Sequence, residues 1–389
     1  MKRKGLGRST ELKLERYYGP PACVIDGSFH VEYHHLDDDK SNTTFANLVP
    51  LGATWNCPAL RDAKTKRQKK RGFDLPAQLD PTYLVRQAAQ HFSQWKVAQA
   101  YGCARLAYFI AANYLDWSAE QRVGIASDAL YYARQSLNYE LITDVLQRDF
   151  ESIVAKWSGS YTVRTTVATD LAGILSEHGL NDEASSLYEV VPRIVPAGYS
   201  TGNEMAIREA ALLRRKALGH VALYGLTPAA ESMLREAQDA NPNSQNTATS
   251  LANTRAWSLI ADGHYDRALE ILEPFFKLYR STVVTEGGYV KPNNVSGWNV
   301  AEVFHSYSVA NYHLWRRGSS ERGAFALRAA ERIYRMCHTG PFPLRKDVWT
   351  EEGQFHHWAR QKGIASIQPV GQLPTPLRRL IHALGKRLA

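Results

Sequence analysis

The segment from Val31 to Cys57 reads VEYHHLDDDKSNTTFANLVPLGATWNC, and it decides how the N-terminal part of the chain folds. Its β-branched and aromatic residues favour two short strands, one within Phe29–Leu36 and one at Asn47–Leu51. The polar stretch between them, Asp37–Thr44, is typical of a connecting loop. Up to about residue 57 the sequence therefore predicts short strands and turns, with a helix beginning at about Thr54.

Residues with metal-binding and proton-transfer chemistry are concentrated in the same segment. Adjacent histidines, His34 and His35, end the first strand, Asn47 lies twelve residues after His35, and Asn56 lies nine residues after Asn47. This pattern resembles the HNH nuclease motif in its HNN form, over about residues 20–70. The resemblance implies a ββα-metal domain, in which two strands and a helix surround one divalent cation.

The resemblance also implies a role for each of these residues. His35 corresponds to the general base, and His34 and Asn56 correspond to the metal ligands. Asn47 corresponds to the residue that bridges the loop between the strands and holds His35 in register. In phosphodiester hydrolysis the metal stabilises charge on the scissile phosphate, while a neutral imidazole takes a proton from the attacking water.

The expected cofactor is one divalent cation, with Mg²⁺ or Mn²⁺ favoured because water and phosphate oxygens would complete the shell, although an imidazole ligand also suits Zn²⁺ or Ni²⁺. Many members of the family carry two CxxC pairs that bind a structural zinc. Here Cys23 is followed at the third position by Asp26, and the later pair would fall on Gly52 and Trp55. No structural zinc is expected, since a closed site needs four ligands.

Positive charge is concentrated near the proposed site. The first 75 residues hold 14 Lys and Arg and 9 Asp and Glu, so they carry +5 of the chain's net charge of +9. The densest part follows Asn56, and such a segment suits the backbone phosphates of a nucleic acid, although a solvated helix face has a similar composition. The candidate phosphate-binding residues are Arg61, Lys64, Lys66, Arg67, Lys69, Lys70 and Arg71.

After Pro76 and Pro81, which mark a predicted boundary, the sequence becomes typical of packed amphipathic helices. The predicted domains are residues 1–75, the nuclease domain, and residues 80–389, a helical domain. Four glycines each precede a small residue five positions later, as expected at the turns of helical hairpins: Gly179, Gly225, Gly263 and Gly318.

One of these turns, in Ala256–Leu269, resembles a tetratricopeptide repeat. The resemblance implies an α-solenoid with a concave groove, whereas a generic helical bundle is the alternative. The predicted fold class is therefore mainly α, with a small ββα-metal domain followed by helical hairpins.

The helical region also contains three polar stretches and a predicted C-terminal helix. The polar stretches at 200–204, 241–250 and 281–300 are expected to interrupt the helices, and the last is a candidate functional loop. A final helix is predicted to start at Thr375–Pro376, with an apolar stripe that docks onto the last hairpin. A contact with a membrane surface or nucleic acid is the alternative for that helix.

The sequence holds no apolar run long enough to cross a bilayer, and its four cysteines are scattered, which favours a cytoplasmic protein. The predicted function is metal-dependent endonucleolytic cleavage, of DNA rather than RNA, with RNA not excluded. A free nuclease would be toxic, so control through the helical domain by a partner, a ligand or homo-oligomerisation is expected, as in a bacterial defence effector. The alternative is a non-catalytic scaffold whose HNH-like module only holds nucleic acid.

Overall fold

The computed structural model describes residues 6–19, 22–29, 31–36, 41–52, 76–93, 96–115, 117–136, 138–178, 180–191, 204–280, 297–318 and 372–388. Within these ranges the chain is mainly helical and has one two-stranded sheet near its N-terminus. The coarse prediction of a mainly α fold with a small N-terminal sheet is confirmed. The predictions that fall on Asn56, on residues 61–71 and on residues 281–296 lie outside the described ranges.

The chain divides into two compact units. The first combines the described residues up to Val167 with Pro374–Leu388, and the second begins at Ala168. This division lies well after the boundary predicted between residues 75 and 80. The helices between Pro81 and Val167 therefore belong to the same compact unit as the N-terminal sheet. A boundary between residues 75 and 80 stays a prediction.

The N-terminal unit begins with a helix that the sequence analysis did not predict, α1 (Arg8–Tyr18). Its charged sequence offers few apolar positions, but Leu14 and Tyr18, four residues apart, share one helical face and are buried. Strands β1 (Val31–His35) and β2 (Leu48–Gly52) then form an antiparallel hairpin, which confirms both predicted strands.

The rest of the first unit is a set of packed helices. Pro81 occupies the start of the first of them, where its missing N–H costs nothing, and a capping box at Ser118 and Gln121 fixes the start of another. A π-helical segment, Leu146–Phe150, joins two short helices without interruption. The helices are α2 (Pro81–Ser93), α3 (Val97–Asn113), α4 (Ala119–Gln135), α5 (Tyr139–Val145), α6 (Glu151–Trp157) and α7 (Tyr161–Glu177), which crosses into the second unit.

The second unit consists, in its described part, of antiparallel helical hairpins. They are α8 (Asn181–Glu189), α9 (Glu204–Tyr224), α10 (Pro228–Ala240), α11 (Gln245–Ala261), α12 (Tyr265–Arg280) and α13 (Gly297–Arg316). Gly225 and Gly263 adopt positive φ angles of 73° and 76° at the predicted turns. Helices pack against each other on either side of the turns at Gly225 and Gly263, whereas Gly179 and the residues after Gly318 lie outside the described ranges. The tetratricopeptide identity stays a prediction.

The prediction that the polar stretch 241–250 interrupts the helices is wrong over most of its length. Helix α11 starts at Gln245 and buries Thr249 and Ser250. These hydroxyls are compatible with a packed helix because they are hydrogen-bonded: Thr249 Oγ1 bonds the backbone carbonyl of Gln245 and lies 2.5 Å from the Tyr279 hydroxyl.

The C-terminal helix α14 (Thr375–Leu388) starts where the sequence predicted. Its stripe of Leu377, Ile381, Leu384 and Leu388 is buried. Within the first unit α14 packs against α6 and the π-helical segment. The last hairpin continues beyond Gly318 into residues outside the described ranges, so its predicted contact with α14 stays a prediction. Among the described helices, none has the length and apolar character that crossing a membrane requires.

Candidate active site on the N-terminal hairpin

The register of the hairpin places the candidate residues beside one another at its loop end. His34 pairs with Val49 and His35 pairs with Leu48, directly after Asn47. The backbone N–H of Leu36 donates to the carbonyl oxygen of Asn47 at 2.9 Å. The end of β1, where His35 lies, is therefore bonded to the residue predicted to hold it in register.

The two imidazoles lie on opposite faces of β1, because side chains alternate along a strand. His34 is 8% exposed, and its ring meets the edge of Phe109 on α3 with a centroid separation of 5.4 Å. His35 is partly buried, and its Nε2 atom is out of contact with solvent. The structure therefore brings the two histidines to the same end of β1 and buries His34 more deeply than His35.

Helix α3 approaches the hairpin closely because it carries a glycine at the contact. A Cβ on Gly102 would lie 2.8 Å from Cγ1 of Val24 and 3.4 Å from Cγ1 of Val49. Close by, the carbonyl oxygen of Val24 accepts from the Cys103 thiol at 3.0 Å and lies 2.9 Å from Nε2 of His91. The hairpin is therefore packed onto the helices of its own unit.

Asn47 is fully buried and bridges the loop between the strands. Its Nδ2 donates to the carbonyl oxygen of Asn42 at 2.9 Å, and its backbone N–H donates to the carbonyl oxygen of Thr44 at 3.0 Å. These two bonds tie Asn47 to residues of the loop between the strands. Its functional role stays a prediction.

The carboxamide oxygen of Asn47 is held by a residue 101 positions further along the chain. Nη1 of Arg148, in the π-helical segment, donates to Asn47 Oδ1 at 2.8 Å. Nε of Arg148 lies 2.7 Å from Oδ1 of Asp144, whose Oδ2 lies 2.8 Å from Nη2 of Arg105. Arg105 also pairs with Asp149, so two cations and two carboxylates form one network beside Asn47.

This network is largely shielded from water. The side chains of Arg105 and Asp149 are 3% and 4% exposed. Burial works to lower the pKa of Arg105, but the surrounding phenol groups and the Asp144 carboxylate outweigh it and raise that pKa above its ordinary value. Arg105 therefore stays charged, and its two carboxylate partners compensate the cost of burying it.

No motif in the sequence indicates this network, although one signal for it exists. Arg105 is the only charged residue in α3, whose residues from Tyr101 to Ala111 are all buried. A lone arginine in such a helix predicts a buried carboxylate partner. The sequence does not indicate which carboxylate, because Asp144 and Asp149 lie about 40 residues away.

An open polar cleft of about 390 Å³ borders the loop that Asn47 holds. Lys13 and Glu140 form an ion pair of 2.6 Å in its wall. Hydroxyl and amide groups make the cleft suited to a polar ligand rather than an apolar one. It is lined by Ser9, Thr10, Lys13, Ser41, Asn42, Thr43, Thr44, Phe45 and Glu140.

Across the part of the chain that the structure describes, no three His, Cys, Asp or Glu side chains come together as a metal site. The predicted ligand set pairs His34 with Asn56, which lies outside that part. Cys23 and Cys103 are free and buried, and burial raises the pKa of both thiols.

Comparison with protein-family models, curated proteins and solved structures finds no match to the chain. The assignment of the hairpin therefore depends on its own residues and their geometry.

Proposed function

We propose that the chain is a metal-dependent HNH-type endonuclease whose active site is formed by the N-terminal hairpin. The observation that carries the proposal is the placement of His34 and His35 at the end of β1 and of Asn47 directly before the paired strand β2, with Asn47 bonded across the intervening loop. The spacing to Asn56 and the basic residues at 61–71 add a metal ligand and a phosphate-binding segment from the sequence.

In the proposed reaction a water oxygen attacks the scissile phosphorus, and the P–O3′ bond breaks. The imidazole of His35 takes the proton from the attacking water, and solvent protonates the leaving oxygen. A divalent cation held by His34 and Asn56 would stabilise the charge that develops on the phosphate. Asn47 keeps the loop and the end of β1 in the geometry that proton transfer requires.

Plasmid cleavage tests this proposal. We expect the purified chain to nick or linearise plasmid DNA in Mg²⁺ or Mn²⁺ and to stop when EDTA is added. His35→Ala should lower the rate by about 10²–10⁴-fold, the range of general base catalysis. The matched control is His264→Ala, which removes an imidazole from the turn before α12. Equal cutting by wild type and His35→Ala would refute the assignment.

Metal titration distinguishes the nuclease from the alternative, a non-catalytic module that only holds nucleic acid. The nuclease proposal expects calorimetry to show binding of Mn²⁺ that is weakened by His34→Ala. The scaffold proposal expects no divalent-ion binding that depends on His34. Parallel assays with single-stranded RNA and duplex DNA determine the substrate, which the motif does not distinguish.

We also propose that the helical region controls the nuclease, as a defence effector would require. Removing everything after residue 80 is not a clean test, because it would delete α3 and Arg148, both of which contact the hairpin. Control by self-association is tested by measuring the rate per molecule against protein concentration, beside the mass in solution. A rate per molecule that stays constant while the mass changes would exclude control by oligomerisation.

A further inference from the structure

The contact between Arg148 and Asn47 joins the candidate catalytic loop to a distant helical segment. The guanidinium donates through Nη1 to the Asn47 side chain, while its Nε is paired with Asp144. Asn47 is 0% exposed, whereas the Arg148 side chain is 30% exposed. The contact is thus a charge-assisted hydrogen bond at the buried end of a long side chain.

The segment that carries Arg148 is held from several directions. It is π-helical, and its Arg148 contacts Asn47 while the neighbouring Asp149 pairs with Arg105 on α3. π-Helical turns occur frequently at functional sites. Helix α14 also packs against this segment and buries its apolar stripe there. Arg148 therefore extends from a braced element, and this limits the positions that its guanidinium can take.

The bond fixes the orientation of the Asn47 amide. A side-chain amide has one acceptor and one donor end, and the arginine can pair only with the acceptor. With Oδ1 held by Arg148, Nδ2 is directed to the carbonyl oxygen of Asn42 across the loop. The backbone carbonyl of Asn47 accepts from Leu36, the residue directly after His35. A shift of Asn47 would therefore be transmitted to the end of β1.

We propose that Arg148 is a positioning residue for the candidate active site: it orients Asn47 and, through the Asn47–Leu36 bond, the strand end that carries His35. This inference rests on the proposed nuclease function. It assigns Arg148 no contact with substrate or metal. It does give the helices of the first unit a direct influence on the geometry of the hairpin.

The test compares Arg148→Ala and Arg148→Lys with Arg122→Ala in the full chain. Arg122 is a matched control because it lies in the same unit and its guanidinium packs 4.2 Å over the ring of Trp157 on α6. For each protein we would measure kcat and KM for duplex DNA in Mn²⁺ by steady-state kinetics. The NMR signals of the His35 ring and the melting temperature are recorded on the same samples.

We expect Arg148→Ala to lower kcat by about 10–100-fold, the usual cost of losing a residue that orients a metal site or its ligands. KM should change by less than about twofold, because substrate contacts are unaltered, and the His35 ring signals should shift or broaden. Arg148→Lys keeps the charge beside Asp144 and should recover part of the rate. Arg122→Ala should leave kcat and the His35 signals unchanged.

The outcomes separate this inference from the function on which it rests. An active wild type with unchanged kcat and unchanged His35 signals in Arg148→Ala would overturn the inference and leave the nuclease standing. A fall in rate that only follows a fall in folded fraction, with no recovery in Arg148→Lys at a temperature where both are folded, would also overturn it. A wild type that cuts nothing would overturn the proposed function, and the inference with it.

Discussion

The hairpin and the helical layer formed by α11, α12 and α13 are held in place by different kinds of interaction. The loop end of the hairpin is fixed by directional polar bonds that run from Asn47 through Arg148 to Asp144. The helical layer has a core of aliphatic and aromatic side chains, in which Phe276 stacks on Tyr307 at 3.9 Å and meets Phe304 edge-on at 5.6 Å.

This difference matters because the two kinds of interaction constrain geometry differently. Apolar packing is non-directional and tolerates changes of similar volume. A buried polar network requires each donor to meet its acceptor, so it fixes orientation as well as position. The polar network lies beside Asn47 and the end of β1 that carries His35. An active site at the hairpin would require these residues to be held in a fixed orientation.

The largest expected effect comes from breaking the network at its buried end. Asp149→Ala removes one of two carboxylates that compensate Arg105, and we expect the unfolding free energy to fall by about 3–5 kcal/mol. Denaturation in urea measures it. Glu231→Ala is the control, since this partly exposed carboxylate pairs with Arg235 and Arg255 and should cost about 1 kcal/mol or less. Equal losses in the two variants would contradict the proposed importance of the network.

A smaller effect is expected where α3 approaches the hairpin. Gly102→Ala places a Cβ 2.8 Å from Val24, which is itself fully buried, and should destabilise the protein by about 1–3 kcal/mol. Gly124→Ala is the matched control: this helical glycine has open space around it and should gain up to about 1 kcal/mol from the better helix propensity of alanine. A stabilising Gly102→Ala would show that the hairpin is not packed closely on α3.

A substitution in the helical layer should lower the unfolding free energy in proportion to the ring contacts that it removes. This loss should not depend on the salt concentration. We expect Phe276→Leu to lower the unfolding free energy by about 1–1.5 kcal/mol through the loss of two aromatic pairs. Repeating the denaturation at low and high NaCl should give the same loss, because the substitution removes no charged group and leaves the hydrogen bond from Tyr307 to the Glu273 carboxylate in both proteins. A loss that changed with salt would weaken the distinction between the two regions.

The smallest expected effect is a pH dependence that originates at His91 on α2, whose ring contacts the carbonyl oxygen of Val24. Burial lowers the pKa of His91, Lys96 lowers it further, and the hydrogen bond to the Val24 carbonyl opposes both. As the pH falls below about 6.5, His91 is therefore protonated in the unfolded chain before it is protonated in the folded chain, and the unfolding free energy decreases. Above about pH 6.5 the contribution of His91 to stability is complete. His91→Gln keeps a donor but does not titrate, so it should flatten this part of a stability–pH curve. An unchanged slope in His91→Gln would contradict the assignment to His91.

Much of the fold could be predicted because the deciding signals are local. The strands follow from alternating β-branched and aromatic residues, and the turns at Gly225 and Gly263 follow from a conformation that glycine adopts most easily. Helix α1 was missed because only Leu14 and Tyr18 are buried in it. The start of α11 was missed because its buried threonines and serines are satisfied by partners that are not adjacent in sequence.

The candidate site shows the same limit. His34, His35 and Asn47 were found because their spacing is a local pattern, and the structure brings them to one end of one hairpin. Arg148 was missed because its link to Asn47 spans 101 residues and no motif contains it. Sequence spacing identifies groups that could carry out the chemistry, whereas the residues that orient them depend on tertiary packing.

The measurement that tests the central claim most directly is the single-turnover rate of Mn²⁺-dependent cleavage of an end-labelled DNA duplex by four proteins: wild type, His35→Ala, Arg148→Ala and the double variant. If both residues act in one site, their effects should be non-additive, and the double variant should be about as slow as His35→Ala alone. Cleavage at the wild-type rate in His35→Ala would contradict a site at the hairpin. Losses that multiply in the double variant would show that Arg148 does not act through His35.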